Sequence, residues 1–165
     1  MKRLSFLLLD ANVVIYLFEH GLWERLIASC DVHLARTVID EAHFYEDDDG
    51  QRHDFDVNEW EKEITIFDVT VAGVEAFCNR FDASYMEKLD PGEAESLAWL
   101  VSSARDARIC SSDAIVFRVL GNLDRSEQGL SLEEVLKAAG LGRPLSWQFT
   151  KKFRDKWTAE GVKES

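Results

Sequence analysis

Residues 4 to 10 read LSFLLLD, an unbroken apolar run closed by one carboxylate. Nothing in the run alternates, so a strand formed here must be covered on both faces. That is the signature of a parallel sheet lying between helices. The next residues, ANVVIYLFEH, read as a helix stopped by Gly21. Asp10 therefore stands where a buried strand gives way to a helix. A carboxylate in such surroundings is costly unless it is paired, hydrogen-bonded or bound to a cation.

Alternation of strand and helix continues along the chain. GLWERLIASC reads as an amphipathic helix and DVHLAR as a short strand. TVIDEAHFY reads as a helix, with Thr37 at the N-cap and Asp40 at the capping-box position. EDDDGQRHDF carries the turn pair Asp49-Gly50 and predicts a small exposed hairpin or loop. EITIFDV has strand alternation, and TVAGVEAFCNRF reads as helical. PGEAESLAWLVSSARD is a strong helix, ARICSS a short strand and DAIVFRVLG a helix ending at Gly121. SLEEVLKAAG, with capping-box spacing from Ser131 to Glu134, and SWQFTKKFRDKW are two further helices. The pattern predicts an α/β fold, with a central, mainly parallel β-sheet flanked by helices. Residues 1–121 would form the main unit, and 122–165 a C-terminal helical extension packed on the same domain.

Charge and cysteine usage narrow the function. The formal net charge is −12, which disfavours bulk electrostatic binding to nucleic acid or anionic membrane. It suits a carboxylate site neutralised by a metal. The run Glu46-Asp47-Asp48-Asp49 lacks EF-hand spacing and reads as a solvated loop. Lys2 and Arg3 before an apolar run mimic a signal peptide, but Asp10 and Asn12 interrupt it. No stretch reaches the ~18 uncharged residues of a membrane span. Cys30, Cys78 and Cys110 are odd in number and widely spaced, as expected of reduced thiols in a cytoplasm.

The acids group by element. Asp10 closes the first strand, and Glu41 lies in the first turn of the helix after the second. Glu93 and Glu95 open the helix leading into ARICSS, and Asp113 follows that strand. Sites in parallel sheets form at the carboxyl ends of strands. Asp10, Glu41, Glu95 and Asp113 converging there would repel one another unless a divalent cation held them. With oxygen donors alone, Mg²⁺ or Mn²⁺ is favoured over zinc.

At LLLDANVVIYLF the chain resembles PIN-domain ribonucleases, the fold of the toxins in many toxin–antitoxin pairs. In that family the first Asp is followed two residues later by Asn, Ser or Thr, matched by Asp10 and Asn12. A second acid lies on the helix after strand two, matched by Glu41. A third opens a helix, and a fourth comes about eighteen residues later in a T-x-D or S-x-D triplet. GEAESLAW and CSSD match these, with Ser111 in the hydroxyl place. Glu95 stands 18 positions before Asp113 and Glu93 stands 20 before it. The two point about 200° apart on a helix. Glu95 is therefore taken as the third acid, with Glu93 at the rim or surface. The resemblance spans roughly residues 4 to 121. The acidic insert and the helices after 121 depart from it.

The resemblance implies a Mg²⁺- or Mn²⁺-dependent endoribonuclease. Asp10, Glu95 and Asp113 would hold the metal, Glu41 would complete the cage, and Asn12 and Ser111 would orient its ligands. Cleavage would leave a 5′-phosphate and a 3′-hydroxyl. A small antitoxin protein would cover the cleft, and two copies would pair as PIN toxins commonly do. Lys151, Lys152, Arg154 and Lys156 form the one dense basic patch, and with Arg118 they are the candidate RNA contacts. Two rival readings stand beside this one. A PIN-like interaction or regulatory module would have lost catalysis. A haloacid-dehalogenase-like phosphatase would use Asp10 as nucleophile, although it needs a second acid where Asn12 stands.

Overall fold

The computed structural model describes residues 2, 4–81, 83–103 and 105–165 of the 165-residue chain. Strand β1 (Leu4–Leu9) lies at the centre of the sheet, and Leu7, Leu8 and Leu9 are fully buried. Asp10 ends the strand and caps α1 (Ala11–Glu19), which buries Val13, Val14 and Leu17. Helix α2 (Trp23–Ser29) leads into β2 (Cys30–Ala35), parallel to β1 with Leu8 opposite His33. The chain passes without a loop into α3 (Arg36–Glu41).

An antiparallel hairpin follows, β3 (Phe44–Glu46) with β4 (Arg52–Asp54), turning at Gly50 with φ +78°. This is the exposed hairpin expected of EDDDGQRHDF. Its base is anchored by Phe55, which stacks on Phe18 of α1 at 3.9 Å between ring centroids. After a 3₁₀ turn at Val57–Trp60, β5 (Thr65–Phe67) pairs in parallel with β2. Helices α4 (Val71–Cys78), α5 (Ala83–Met86) and α6 (Pro91–Ser102) cross back over the sheet. Strand β6 (Arg108–Cys110) then pairs with the other side of β1, with Leu9 opposite Cys110.

Helix α7 (Ala114–Asn122) is capped by Asp113. Beyond it, β7 (Gly129–Leu130) pairs in parallel with β6, completing the order β5-β2-β1-β6-β7. Every pairing in this five-stranded sheet is parallel. The fold is α/β, as the apolar run at 4–9 predicts. Helices α8 (Leu132–Ala138), with its Ser131–Glu134 capping box, and α9 (Lys151–Lys163) follow.

Residues past 121 thus supply a strand to the main sheet. They also supply α9, which meets α7 through two glycines. A Cβ on Gly161 would overlap the Arg118 carbonyl, and one on Gly121 would overlap that of Thr158. The segment is integral to the fold rather than loosely appended. Among the described residues, no helix is long and apolar enough to cross a membrane.

The strand order has a functional consequence. From β1 the chain winds one way through β2 and β5, then returns to wind the other way through β6 and β7. The change of direction opens a crevice beyond the carboxyl ends of β1 and β6, the usual place for a ligand in an open parallel sheet. Asp10 and the Ser111–Asp113 loop stand there.

Candidate metal centre

Asp10 is 2% exposed. Its Oδ1 accepts the Val13 amide at 3.0 Å, which caps α1. Its Oδ2 accepts the Ser111 hydroxyl and, at 3.3 Å, the Ser112 amide. Ser111 Oγ in turn accepts the Asp113 amide at 3.0 Å. The residue is thus both a helix cap and the hub of the crevice. Burial raises its pKa to about 6, against the pull of these three hydrogen bonds, and the Asp113 charge adds to the rise. Asn12 is exposed on the first turn of α1 and takes no part in this network.

Of the two acids of α6, Glu93 is the one that feels the charges of Asp10 and Asp113. Glu93 is 3% exposed, buried rather than on the rim or surface. Its Oε1 accepts the Asp90 amide at 3.0 Å while Asp90 Oδ1 accepts the Glu93 amide at 2.8 Å, a reciprocal capping box. Burial drives the Glu93 pKa up to about 10, with the charges of Asp113, Asp90 and Asp10 adding to it. Glu95 is 8% exposed and turns the other way. It accepts the Thr37 hydroxyl at 3.1 Å and the Val69 amide at 3.2 Å, tying α6 to α3 and to the end of β5. The opposition of the two side chains follows from helix geometry. The phase is reversed because both faces of α6 are covered, so burial does not mark one of them as the crevice side.

Two further expectations are corrected. Thr37 is not the N-cap of α3; Ala35 is, without a side-chain bond, because β2 runs straight into the helix. Glu41 is therefore the last residue of α3 and not in its first turn. A carboxylate at a helix C-terminus is unfavourable there. It is relieved by the first turn of α6, where the Gly92 amide donates to Glu41 Oε1 at 3.1 Å. Burial raises the Glu41 pKa, as do Asp90 and Asp10.

Gly92 is a site residue that sequence reasoning missed. A Cβ there would stand 3.2 Å from both Glu41 carboxylate oxygens, so a larger residue would need the Glu41 side chain to give by a few tenths of an ångström. The signal was present as Pro91-Gly92 at a helix start, but it reads equally as ordinary turn chemistry.

Asp10, Glu41, Glu93 and Asp113 are thus near enough for the charge of Asp10 to bear on Glu41 and Glu93, and that of Asp113 on Asp10 and Glu93. The donors are all oxygen, as Mg²⁺ or Mn²⁺ requires. Among the described residues, no three of His, Cys, Asp or Glu gather closely enough to enclose one ion. Mg²⁺ is commonly held by one or two carboxylates and its own waters, so an ion here would be held in that mode rather than in a closed cage.

The basic candidates lie elsewhere and are largely occupied. Arg118 makes a two-pronged pair with Glu164, at 3.0 and 3.1 Å, and lies over the Tyr85 ring. Arg154 stands 3.1 Å from Glu134 and 3.0 Å from Asp155, and donates to the Gly129 carbonyl at 3.1 Å. Lys151 pairs with Asp155 at 2.9 Å, and Lys156 lies over the Trp157 ring. Lys152 is exposed.

Beside Ser112, α1 and the 3₁₀ turn at Trp147–Phe149 (with Ser146) enclose a groove of about 460 Å³, with Asn12 and Tyr16 on one side and Gln148 on the other. Comparison with protein-family models, curated proteins and solved structures gives no match.

Proposed function

We propose that this chain is a Mg²⁺- or Mn²⁺-dependent endoribonuclease of the PIN type. The observation that carries the reading is Glu93. It is a buried carboxylate at a strand-end crevice, pressed by the charges of Asp113 and Asp10. A fold keeps such a group at a cost of several kcal/mol unless something in its working state compensates. A divalent cation in the crevice supplies that compensation, activates a water and polarises a phosphodiester.

The chain's own residues prepare the crevice. Ser111 and the Ser112 amide hold the Asp10 carboxylate in one orientation, and the Ser111 hydroxyl links it to the backbone of Asp113. Asp10, raised only to about 6, is mostly ionised at neutral pH, whereas Glu93 keeps its proton until the cluster is neutralised otherwise. Gly92 and Glu41 brace α6 against α3, which sets where Glu93 stands. By the same resemblance, a small antitoxin would cover the crevice in a cytoplasm, and an antitoxin-like reading frame beside this gene would support that role.

One observation favours a second reading. Because among the described residues no three ligands already surround a point, protons alone can neutralise the acids, as they would in a PIN-like interaction module without catalysis. Mn²⁺-dependent cleavage of a mixed RNA pool separates the two. The nuclease cuts, and Asp10→Asn loses more than about 100-fold, beyond the 10–100-fold that outer-shell partners cost. Equal cleavage by the variant and the wild type would sink the site.

A further inference from the structure

The crevice acids account for bond breaking but not for how a nucleotide is held. The groove next to them has the makings of such a holder. Ser112, whose amide donates to Asp10, is also part of the groove wall, so the groove lies one residue from the Asp10 carboxylate. One flank is aromatic. The Tyr16 ring lies 4.7 Å from that of Phe149 and 4.1 Å from that of His20. The other groups carry donors and acceptors: the exposed amides of Asn12 and Gln148 and the exposed hydroxyl of Ser146. Arg143, exposed nearby, acts on the Tyr16 phenol; its positive charge opposes the rise that burial gives that group. At about 460 Å³ the groove falls within the roughly 300–1,000 Å³ usual for small-ligand sites.

We infer that this groove seats one nucleotide of single-stranded RNA, the unit beside the scissile phosphate. Its base lies against the Tyr16–Phe149 flank, and its edge is read by Gln148. The inference rests on the ribonuclease reading above. The chemistry selects the occupant. Amides at a rim recognise the donor and acceptor edges of an unpaired base, and aromatic rings offer it a stacking surface. A cationic side chain at the margin suits the adjoining phosphate. The groove also resolves the conflict between a net charge of −12 and a polyanionic substrate. Affinity would come from stacking and edge contacts, and only locally from charge.

The test uses the full chain and two substitutions at exposed positions away from the acids. Ser146→Trp fills the groove, and Gln148→Ala removes the edge reader. Fluorescence anisotropy with labelled ten-nucleotide single-stranded RNAs in EDTA reports binding. Sequencing of Mn²⁺-dependent cleavage products reports base preference. Ser146→Trp should weaken binding about tenfold or more, the scale of one lost base stack. Gln148→Ala should change the base preferred beside the cut. If both variants match the wild type in affinity and cut pattern while RNA is still cleaved, the groove assignment fails and the nuclease reading stands. If the wild type binds, Ser146→Trp does not, and neither cleaves, the groove stands and the nuclease reading fails. A wild type that neither binds nor cleaves overturns both.

Discussion

On α9 each described cation but Lys152 has a partner: Lys151 meets Asp155, Arg154 sits between Glu134 and Asp155, and Lys156 lies on Trp157. At the carboxyl ends of β1 and β6 the reverse holds. The charge of Asp113 bears on both Asp10 and Glu93, and the hydrogen bonds these acids receive come from hydroxyls and amides rather than from cations. Both regions stand out as dense charge in the sequence. One is compensated within the chain and so belongs to its architecture. The other is not, and on the proposed reading its surplus is what a cation would neutralise.

The sharpest way to break this contrast uses two residues of one helix. Glu93→Gln keeps the capping box, since Gln serves there as well. It removes a carboxylate from the crevice, and Mn²⁺ affinity, followed by calorimetry, should fall about 10–100-fold. Glu95→Gln should leave Mn²⁺ affinity within about twofold and alter mainly stability, because its partners are Thr37 and the Val69 amide. Equal losses of affinity in the two variants would contradict the assignment of α6's faces.

Stability against pH offers a second test, in metal-free buffer. The folded pKa of Glu93, about 10, lies above the ordinary 4.5, so the folded state holds the proton more tightly. Its contribution is fully present below about pH 4.5 and is lost progressively as pH rises toward 10. Asp10 acts in the same direction between 3.8 and about 6. Urea unfolding should therefore show Glu93→Gln gaining on the wild type as pH rises, with a gap near zero at pH 4 and up to about 3 kcal/mol at pH 7. A gap that does not change with pH would show that Glu93 is not strained by ionisation.

The smallest effects belong to α9. Arg154→Ala breaks a largely buried set of contacts and should cost about 1–3 kcal/mol in a thermal or urea melt. Lys151→Ala removes an exposed pair and should cost under about 0.5 kcal/mol. A large drop in RNA affinity from Lys151→Ala, without loss of stability, would return the helix to the list of binding surfaces.

Much of this was legible from local pattern. The apolar run before Asp10 announced a strand covered on both faces, and Asp49-Gly50 announced the hairpin. That Asp10, Ser111 and Asp113 meet was also open to reading, because each is tied to its element's terminus. The phase of α6 was not legible. Choosing between Glu93 and Glu95 requires knowing which face of a doubly covered helix looks toward β1, and that is decided by α3 and β5, far away in sequence. The place of Glu41 was lost for a related reason. The strand-to-helix junction at Ala35–Arg36 has no capping side chain to mark it, so the helix begins earlier than its polar residues suggest. Strand β7, two residues long, has no period to detect; it exists because β6 offers it an edge.

The glycine contact between α7 and α9 bears on how a mutational screen of this chain should be read. Gly121 and Gly161 stand 40 positions apart in sequence, and each faces a backbone carbonyl with no room for a methyl group. Helix α7 begins at Asp113, so whatever displaces its axis displaces an acid of the crevice. On the proposed nuclease reading, a hunt for inactive clones will therefore recover substitutions at these two positions alongside those at Asp10. The two classes will look alike in an activity assay and part company in a melting curve. Dead but well-folded clones trace the chemistry, and dead, easily melted ones trace the scaffold that aims it.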